Sequence, residues 1–524
     1  MMTRLLHDRS PPSPSPNPLA IAVISSLLLA TALPAMATES LDAWQQQRQL
    51  QEGWAQPTIS SATVSSVAGP ASAALAPAAV ASTAILGNAG DPGSWRTDEF
   101  KADWGLAAMG AEFAYARGLT AKGVRLGVFD DGAGLGHPEF AGKNHRSIRL
   151  AGVLADGSLC PAEVIEGPNS CFRTDGDQVQ LTYQTLEPRY AALLNRNNYF
   201  EGVTYGTHGT HVSGTIAANR DGSGMHGVAF GADLSVARLF SNSVAHLSVS
   251  PRMTLERSSK SVSAPTAAFS QLYEQLEQQQ IRAINHSWGL ATEPSTAQQM
   301  DVYLSHAVFA DRLAVMATAS RRTGLIQVWA AGNTDAPNPS PQQAPIAGMY
   351  ATLPRAQKDV EPYWLAVVNV NEALELSNRS MRCGLAANWC LAAPGTAILS
   401  TTYGAKTKLD ATLSKDSAGN VTIDTRSLLP DYDYVKKSGT SMAAPHITGA
   451  LGLLFERFPY LDNAQVRDVL LTTARDLGAP GVDDVYGWGM VDLRKAIEGY
   501  GSLRVDTDVA MNQKAGGLKV WEGD

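Results

Sequence analysis

Only four cysteines occur in 524 residues, charged residues make up 17% of the chain, and lysine and arginine are nowhere concentrated into a block. With 41 basic against 49 acidic residues the formal net charge is -8. So thin and slightly acidic a distribution excludes a surface built to follow a phosphate backbone, and no nucleic-acid partner is expected. Past residue 37 no apolar run approaches the roughly 20 residues that cross a bilayer as a helix. Two hydrolase signatures are also missing. His208 and His211 lie in His-Gly-Thr-His with no glutamate between them, so the zinc-protease pattern H-E-x-x-H is absent. Ser441 lies in Gly-Thr-Ser-Met-Ala rather than Gly-x-Ser-x-Gly, which excludes the lipase-type nucleophile turn.

What is present begins with an export segment. Arg4 and Arg9 flank a Pro/Ser stretch, Leu19 to Leu33 is apolar, and Ala35-Met36-Ala37 is a small-x-small cleavage site. Residues 1–37 therefore read as a signal peptide, the alternative being an uncleaved anchor. Export favours disulfides, and the spacing of the four cysteines suggests two local pairs, Cys160 with Cys171 and Cys383 with Cys390. Proximity is the only argument for that choice among three pairings. A zinc site is the rival, weakened by the distance between the pairs and the lack of histidines at ligand spacing.

Residues 38–98 open on a Gln-rich stretch and continue as an Ala/Ser/Pro tract without sustained period. They read as a linker or a short propeptide. From about residue 99 to 500 apolar strands alternate with helices. Residues 100–123 have a helical middle and end at a glycine. VRLGVF, ADLSVARLF, IRAINHS, LIQVWA and YWLAVVNV read as strands. Helices are expected from His208, from Thr266 to Gln280 with Thr266 as a cap, over GTSMAAPHITGALGLLFERF, and over NAQVRDVLLTTA. That alternation predicts an α/β fold with a mostly parallel sheet. Residues 145–200 lack the βα rhythm, 241–265 read as a Ser-rich loop, and 501–524 alternate like a strand or two.

Three short motifs carry chemistry, in the chain order Asp, His, Ser. Ser441 opens an apolar helix, where unpaired N–H groups favour developing negative charge; its plainer reading is a helix cap. His208 is the candidate base that would take the serine proton, with His211 a rival one turn on. Asp130 ends the strand VRLGVF and would orient the histidine; Asp131 is its neighbour, and adjacent residues of a strand point oppositely. Either aspartate also suits a turn. Asn333, in Ala-Ala-Gly-Asn, offers an amide for an oxyanion or is an ordinary turn residue. Ser287-Trp288-Gly289 follows a strand and exposes backbone to an extended peptide. Ala331 and Gly332, with Ala330, would form a facing wall of small residues that leaves room for a sizeable apolar side chain.

These motifs resemble those of the subtilase family of serine endopeptidases. Val128-Phe129-Asp130-Asp131-Gly132 resembles the family's V-I-D-[ST]-G, with Phe129 and Asp131 as departures. His208-Gly-Thr-His-Val-Ser-Gly-Thr, Gly439-Thr-Ser-Met-Ala-Ala-Pro-His, Ala330-Ala-Gly-Asn, Ser287-Trp-Gly and Tyr486-Gly-Trp-Gly-Met-Val-Asp match the remaining segments in order. The resemblance implies a subtilisin-like three-layer α/β fold, an Asp130-His208-Ser441 triad, Asn333 at the oxyanion, and an acyl-enzyme route. It implies protein or peptide substrates, no required cofactor and no catalytic metal; calcium is common in the family, but no oxygen-rich loop here identifies a site. Within the family the chain resembles bacterial autotransporter proteases, through Trp104-Gly-Leu, the approach to the Asp strand, and Arg382-Cys-Gly-x-Ala-x-x-Trp-Cys. Such proteins carry a β-helical stalk and an outer-membrane barrel, so 501–524 reads as the start of a truncated stalk. A secreted or cell-surface location follows, with outer-membrane association if a barrel is missing from this chain. Two rivals are an acyl esterase, which shares the triad chemistry, and a protease-like adhesin, which would have lost a triad member.

Overall fold

The computed structural model describes residues 87–153, 172–177, 183–185, 199–204, 207–239, 243–249, 255–260, 264–403, 411–415, 421–425 and 432–500. The signal segment, most of the Ala/Ser tract, Cys160, Cys171 and residues 501–524 lie outside the described residues.

Among the described residues the main sheet has seven strands: β1 (Arg125–Asp130), β2 (Arg146–Ser147), β3 (Asp233–Arg238), β4 (Ala283–His286), β5 (Ile326–Ala330), β6 (Trp364–Val370) and β7 (Cys390–Pro394). Their spatial order is β7-β6-β5-β4-β1-β3-β2, and every neighbouring pair is parallel. A parallel sheet is covered on both faces. Hence β6 is buried at every position, and β1 at all but Arg125, which is why these strands read as continuous apolar runs. From β1 the chain goes first to the edge strand β2, returns to β3 beside β1, and then crosses to place β4 on the other side. The strand order therefore reverses between β1 and β4, and the crevice at their C-terminal ends is where an open α/β sheet receives a ligand. A separate antiparallel ribbon joins β8 (Ile398–Tyr403) to β9 (Tyr432–Lys437).

The expected helix over 100–123 is three short ones, α1 (Asp98–Ala102), α2 (Trp104–Ala108) and α3 (Ala111–Ala116). Asp103 is extended, with φ -109° and ψ 104°, and caps α2 through Gly105. Gly110 takes the left-handed conformation before α3. Then come α4 (His208–Ala217), α5 (Thr266–Gln278), α6 (Ala297–Ser305), α7 (Ala307–Thr323), α8 (Thr440–Arg457) and α9 (Asn463–Thr473). Thr266 is the first helical residue of α5 rather than its cap; Pro265 holds that position and no side chain caps the helix. In α9 Asp462 and Gln465 form a reciprocal capping box, the pattern that satisfies two first-turn N–H groups. Helices α6 and α7 fall in a segment with no expected element. The region 241–265 is not a plain loop, since 243–249 and 255–260 pair as antiparallel strands. Within 145–200, strands 149–153 and 172–175 also pair.

Helix α8 lies along β4 to β7, with α4 packed against it, while α5 and α7 form a second pair. From Met442 to Phe455 every residue of α8 is buried. A helix apolar on all sides belongs in a core, and here it carries Ser441 at its mouth. Cys383 and Cys390, the first residue of β7, are joined by a disulfide, with Cα atoms 5.8 Å apart. Among the described residues no helix is long and apolar enough to cross a membrane.

Candidate active site

Asp130 is the last residue of β1 and 2% exposed. Its Oδ1 lies 2.8 Å from Nδ1 of His208, the first residue of α4. Close approach of the two elements depends on Gly209: a Cβ there would meet the carbonyl oxygen of Gly132 at 2.1 Å. Asp131 meets the helix backbone instead. Its carboxylate accepts from the N–H groups of Gly209, at 2.6 Å, and His208, at 3.3 Å, where the helix has no cap from Thr207. The side-by-side aspartates thus divide two tasks, one meeting the imidazole and one holding the helix end.

His211 is not a second candidate of equal standing. It is buried, and its Nε2 lies 3.0 Å from the carbonyl of Ile398 and 3.1 Å from that of Val435. The imidazole fastens α4 to the β8–β9 ribbon, and burial pushes it down to about 3, so it stays neutral. For His208, burial also opposes the charged form, but the Asp130 carboxylate, its hydrogen bond and the nearby Asp131 charge outweigh it and raise the imidazole above its ordinary value; Lys437 acts against them. Burial, with the Asp130 charge beside it, raises the Asp131 carboxyl.

Ser441 is the second residue of α8, after Gly439 and Thr440. Gly439 has φ 152°, a conformation that favours glycine. Pro445 lies in the second turn of the same helix and has no N–H to offer the carbonyl of Ser441, four residues back. Ser287 supplies the missing donor: its hydroxyl reaches that carbonyl at 2.8 Å. Ser287 is held in turn by Asn285 Nδ2 at 2.9 Å, and Asn285 Oδ1 accepts from Thr448 at 3.2 Å. The Ser441 hydroxyl donates to the carbonyl of Ser287 at 3.2 Å. Ser287 thus clamps the start of α8 to the end of β4, a role its motif did not announce. The one local sign was the proline four residues beyond Ser441.

Asn333 follows β5. Its Oδ1 accepts from Thr440 N at 2.9 Å and Thr440 Oγ1 at 3.2 Å. The carbonyl end of the amide is thereby fixed and the NH2 end turned away from Thr440. Ser287, Trp288, Gly289, Gly332, Asn333 and Ser441 all line one cleft of about 420 Å³. Ala331 is fully buried behind that wall rather than on it; Ala330 lines the cleft in its place. Among the described residues no group of three or more His, Cys, Asp or Glu side chains is placed to hold a metal ion.

A parallel sheet thus reverses its strand order beside an Asp–His couple, with a serine at the neighbouring helix mouth. The sequence profile of the subtilase family matches residues 121–489, and the chain belongs to that family. It is 33% identical over 446 residues to an extracellular serine protease of Serratia marcescens, covering 79% of this chain and 35% of that protein. It is 25% identical over 281 residues to the Neisserial autotransporter lipoprotein NalP of Neisseria meningitidis, covering 46% and 23%. Among solved structures, fervidolysin from Fervidobacterium pennivorans aligns with TM-score 0.44 and 22% identity over 76% of this chain and 45% of that one. The chain spans about a third of the length of the Serratia relative.

Proposed function

We propose that this chain is a secreted or cell-surface serine endopeptidase that hydrolyses peptide bonds through Asp130, His208 and Ser441. The observation that carries this reading is the 2.8 Å contact between Asp130 and His208 at the strand-reversal crevice, with Ser441 lining the adjacent cleft. Attack begins when the Ser441 hydroxyl leaves the Ser287 carbonyl and turns to Nε2 of His208, which takes its proton as the oxygen adds to the scissile carbonyl. Asp130 holds the imidazole by Nδ1 and stabilises its charged form. The oxyanion is met by the Asn333 amide and the backbone N–H of Ser441 at the positive end of α8. His208 then gives its proton to the leaving amine, and water releases the acyl group by the reverse steps. Side chains and backbone supply all of this chemistry.

The relatives' descriptions as an extracellular protease and an autotransporter lipoprotein support export. On this reading residues 1–37 are the signal peptide, 38–98 a linker or propeptide, 99–500 the peptidase domain and 501–524 the start of a stalk. Labelling of the secreted protein by a fluorophosphonate probe, lost in Ser441→Ala, tests the nucleophile. An unlabelled protein that still cleaves peptides would sink it.

Two further results are expected. Asn333→Ala should lower kcat about 10²–10³-fold with little change in KM, the magnitude seen when such a donor is lost in subtilisin; equal losses through KM would place Asn333 in substrate binding instead. Asp131→Asn removes a negative charge that raises His208. The base acts when neutral, so activity rises with pH through the His208 pKa. Lowering that pKa should move the acidic limb of the kcat/KM profile to lower pH, and a limb that stays put or moves up contradicts the assignment.

A further inference from the structure

Among the described residues the cleft beside Ser441 is lined by two carboxylates, Glu293 and Asp335, and by no lysine, arginine or histidine. Glu293 lies between the two walls. A Cβ on Gly289 would sit 2.7 Å from its Oε1, and one on Gly348 2.6 Å from its carboxyl carbon. Oε1 accepts from the N–H of Leu290 at 2.7 Å and Oε2 from that of Met349 at 2.8 Å. These bonds aim the carboxylate and leave each oxygen a second lone pair. No lysine or arginine pairs with it among the described residues, and burial raises its carboxyl despite both backbone bonds. Trp288 and Tyr350, ring centroids 5.0 Å apart, stand beside it on the lining, backed by Trp329 stacked on His286 at 4.0 Å.

We propose that Glu293 makes this cleft select a basic side chain, arginine or lysine, at the substrate residue preceding the scissile bond. The proposal rests on the endopeptidase reading above and names its substrate class. An apolar side chain entering here would strip the remaining water from a carboxylate held by two backbone N–H groups and no countercharge among the described residues, which costs free energy. A guanidinium or ammonium pairs with that carboxylate while its flanks meet the aromatic faces of Trp288 and Tyr350. The small wall residues, read from sequence alone as room for an apolar group, give room instead for a long stem to reach the floor.

The test uses the secreted full-length chain and fluorogenic peptides identical except for Arg, Lys, Gln, Leu or Phe before the cleaved bond. Wild-type kcat/KM for Arg or Lys should exceed that for Leu or Phe by about tenfold or more, since a site built to pair a charge discriminates more sharply than an apolar pocket. In Glu293→Gln that ratio should collapse while Leu and Phe turnover persists. A wild-type preference for Leu or Phe, or a Glu293→Gln ratio equal to wild type, overturns the proposal. Should the variant fail to fold, the wild-type profile decides alone. Fluorophosphonate labelling of Ser441 separates the two levels. A labelled, active enzyme without basic preference removes only the role of Glu293. An unlabelled protein that cleaves none of the peptides removes the endopeptidase reading and this proposal with it.

Discussion

Ser441→Ala is expected to lower peptide hydrolysis by about six orders of magnitude in kcat, the loss found on removing the nucleophile of subtilisin. The fold should survive. The bond that secures the start of α8 runs from the Ser287 hydroxyl to the backbone carbonyl of Ser441, which alanine retains. Only the bond from the Ser441 hydroxyl to the Ser287 carbonyl is lost, and Ser441 is partly exposed, so no large cavity opens. Circular dichroism and thermal melting should therefore overlay wild type while turnover of a fluorogenic peptide falls to a residue from oxyanion binding alone. Near-normal turnover in the folded variant would exclude Ser441 as the nucleophile.

His208→Ala and His211→Ala should separate just as sharply. On the proposed mechanism, removing His208 takes away the base and should cost kcat about as much as removing the serine, because the two would act as one unit. Removing His211 breaks the fastening of α4 to the β8–β9 ribbon and leaves the carbonyls of Ile398 and Val435 short of a donor. The expected cost is about 1–3 kcal/mol of stability, read by chemical denaturation, with most activity per folded molecule retained below the melting transition. If His211→Ala abolishes turnover at full stability while His208→Ala does not, the roles are reversed.

Much of this was legible in the chain. Strands buried on both faces must be apolar throughout, so VRLGVF and YWLAVVNV announced themselves and placed Asp130 at a strand end. Helix α8 was legible because its length and apolarity admit little else. The errors lie where local pattern and structure part. The stretch 100–123 has helical composition, yet Asp103 leaves the helical conformation to cap α2, and its buried carboxylate meets buried His446 at 3.0 Å, a contact from the far end of the chain. Thr266 is an ordinary cap residue by type, but Pro265 already holds the extended conformation a cap requires. Helix α7 carries the helical period in Leu313, Met316, Ala317 and Ser320, which recur on one buried face, although neither it nor α6 is an expected element.

By itself, then, the sequence determined the alternation of strands and helices, the chemical types at the crevice and their order along the chain, because each follows from periodicity or from reactivity carried by single residues. The strand end already favoured Asp130 over Asp131; tertiary structure alone decided that His211 is pinned to a ribbon and that Ser287 replaces the hydrogen bond Pro445 withholds. It also brought Glu293 between Gly289 and Gly348. These choices depend on distances between segments far apart in the chain, and only the docking of β1, α4, β4 and α8 sets those distances.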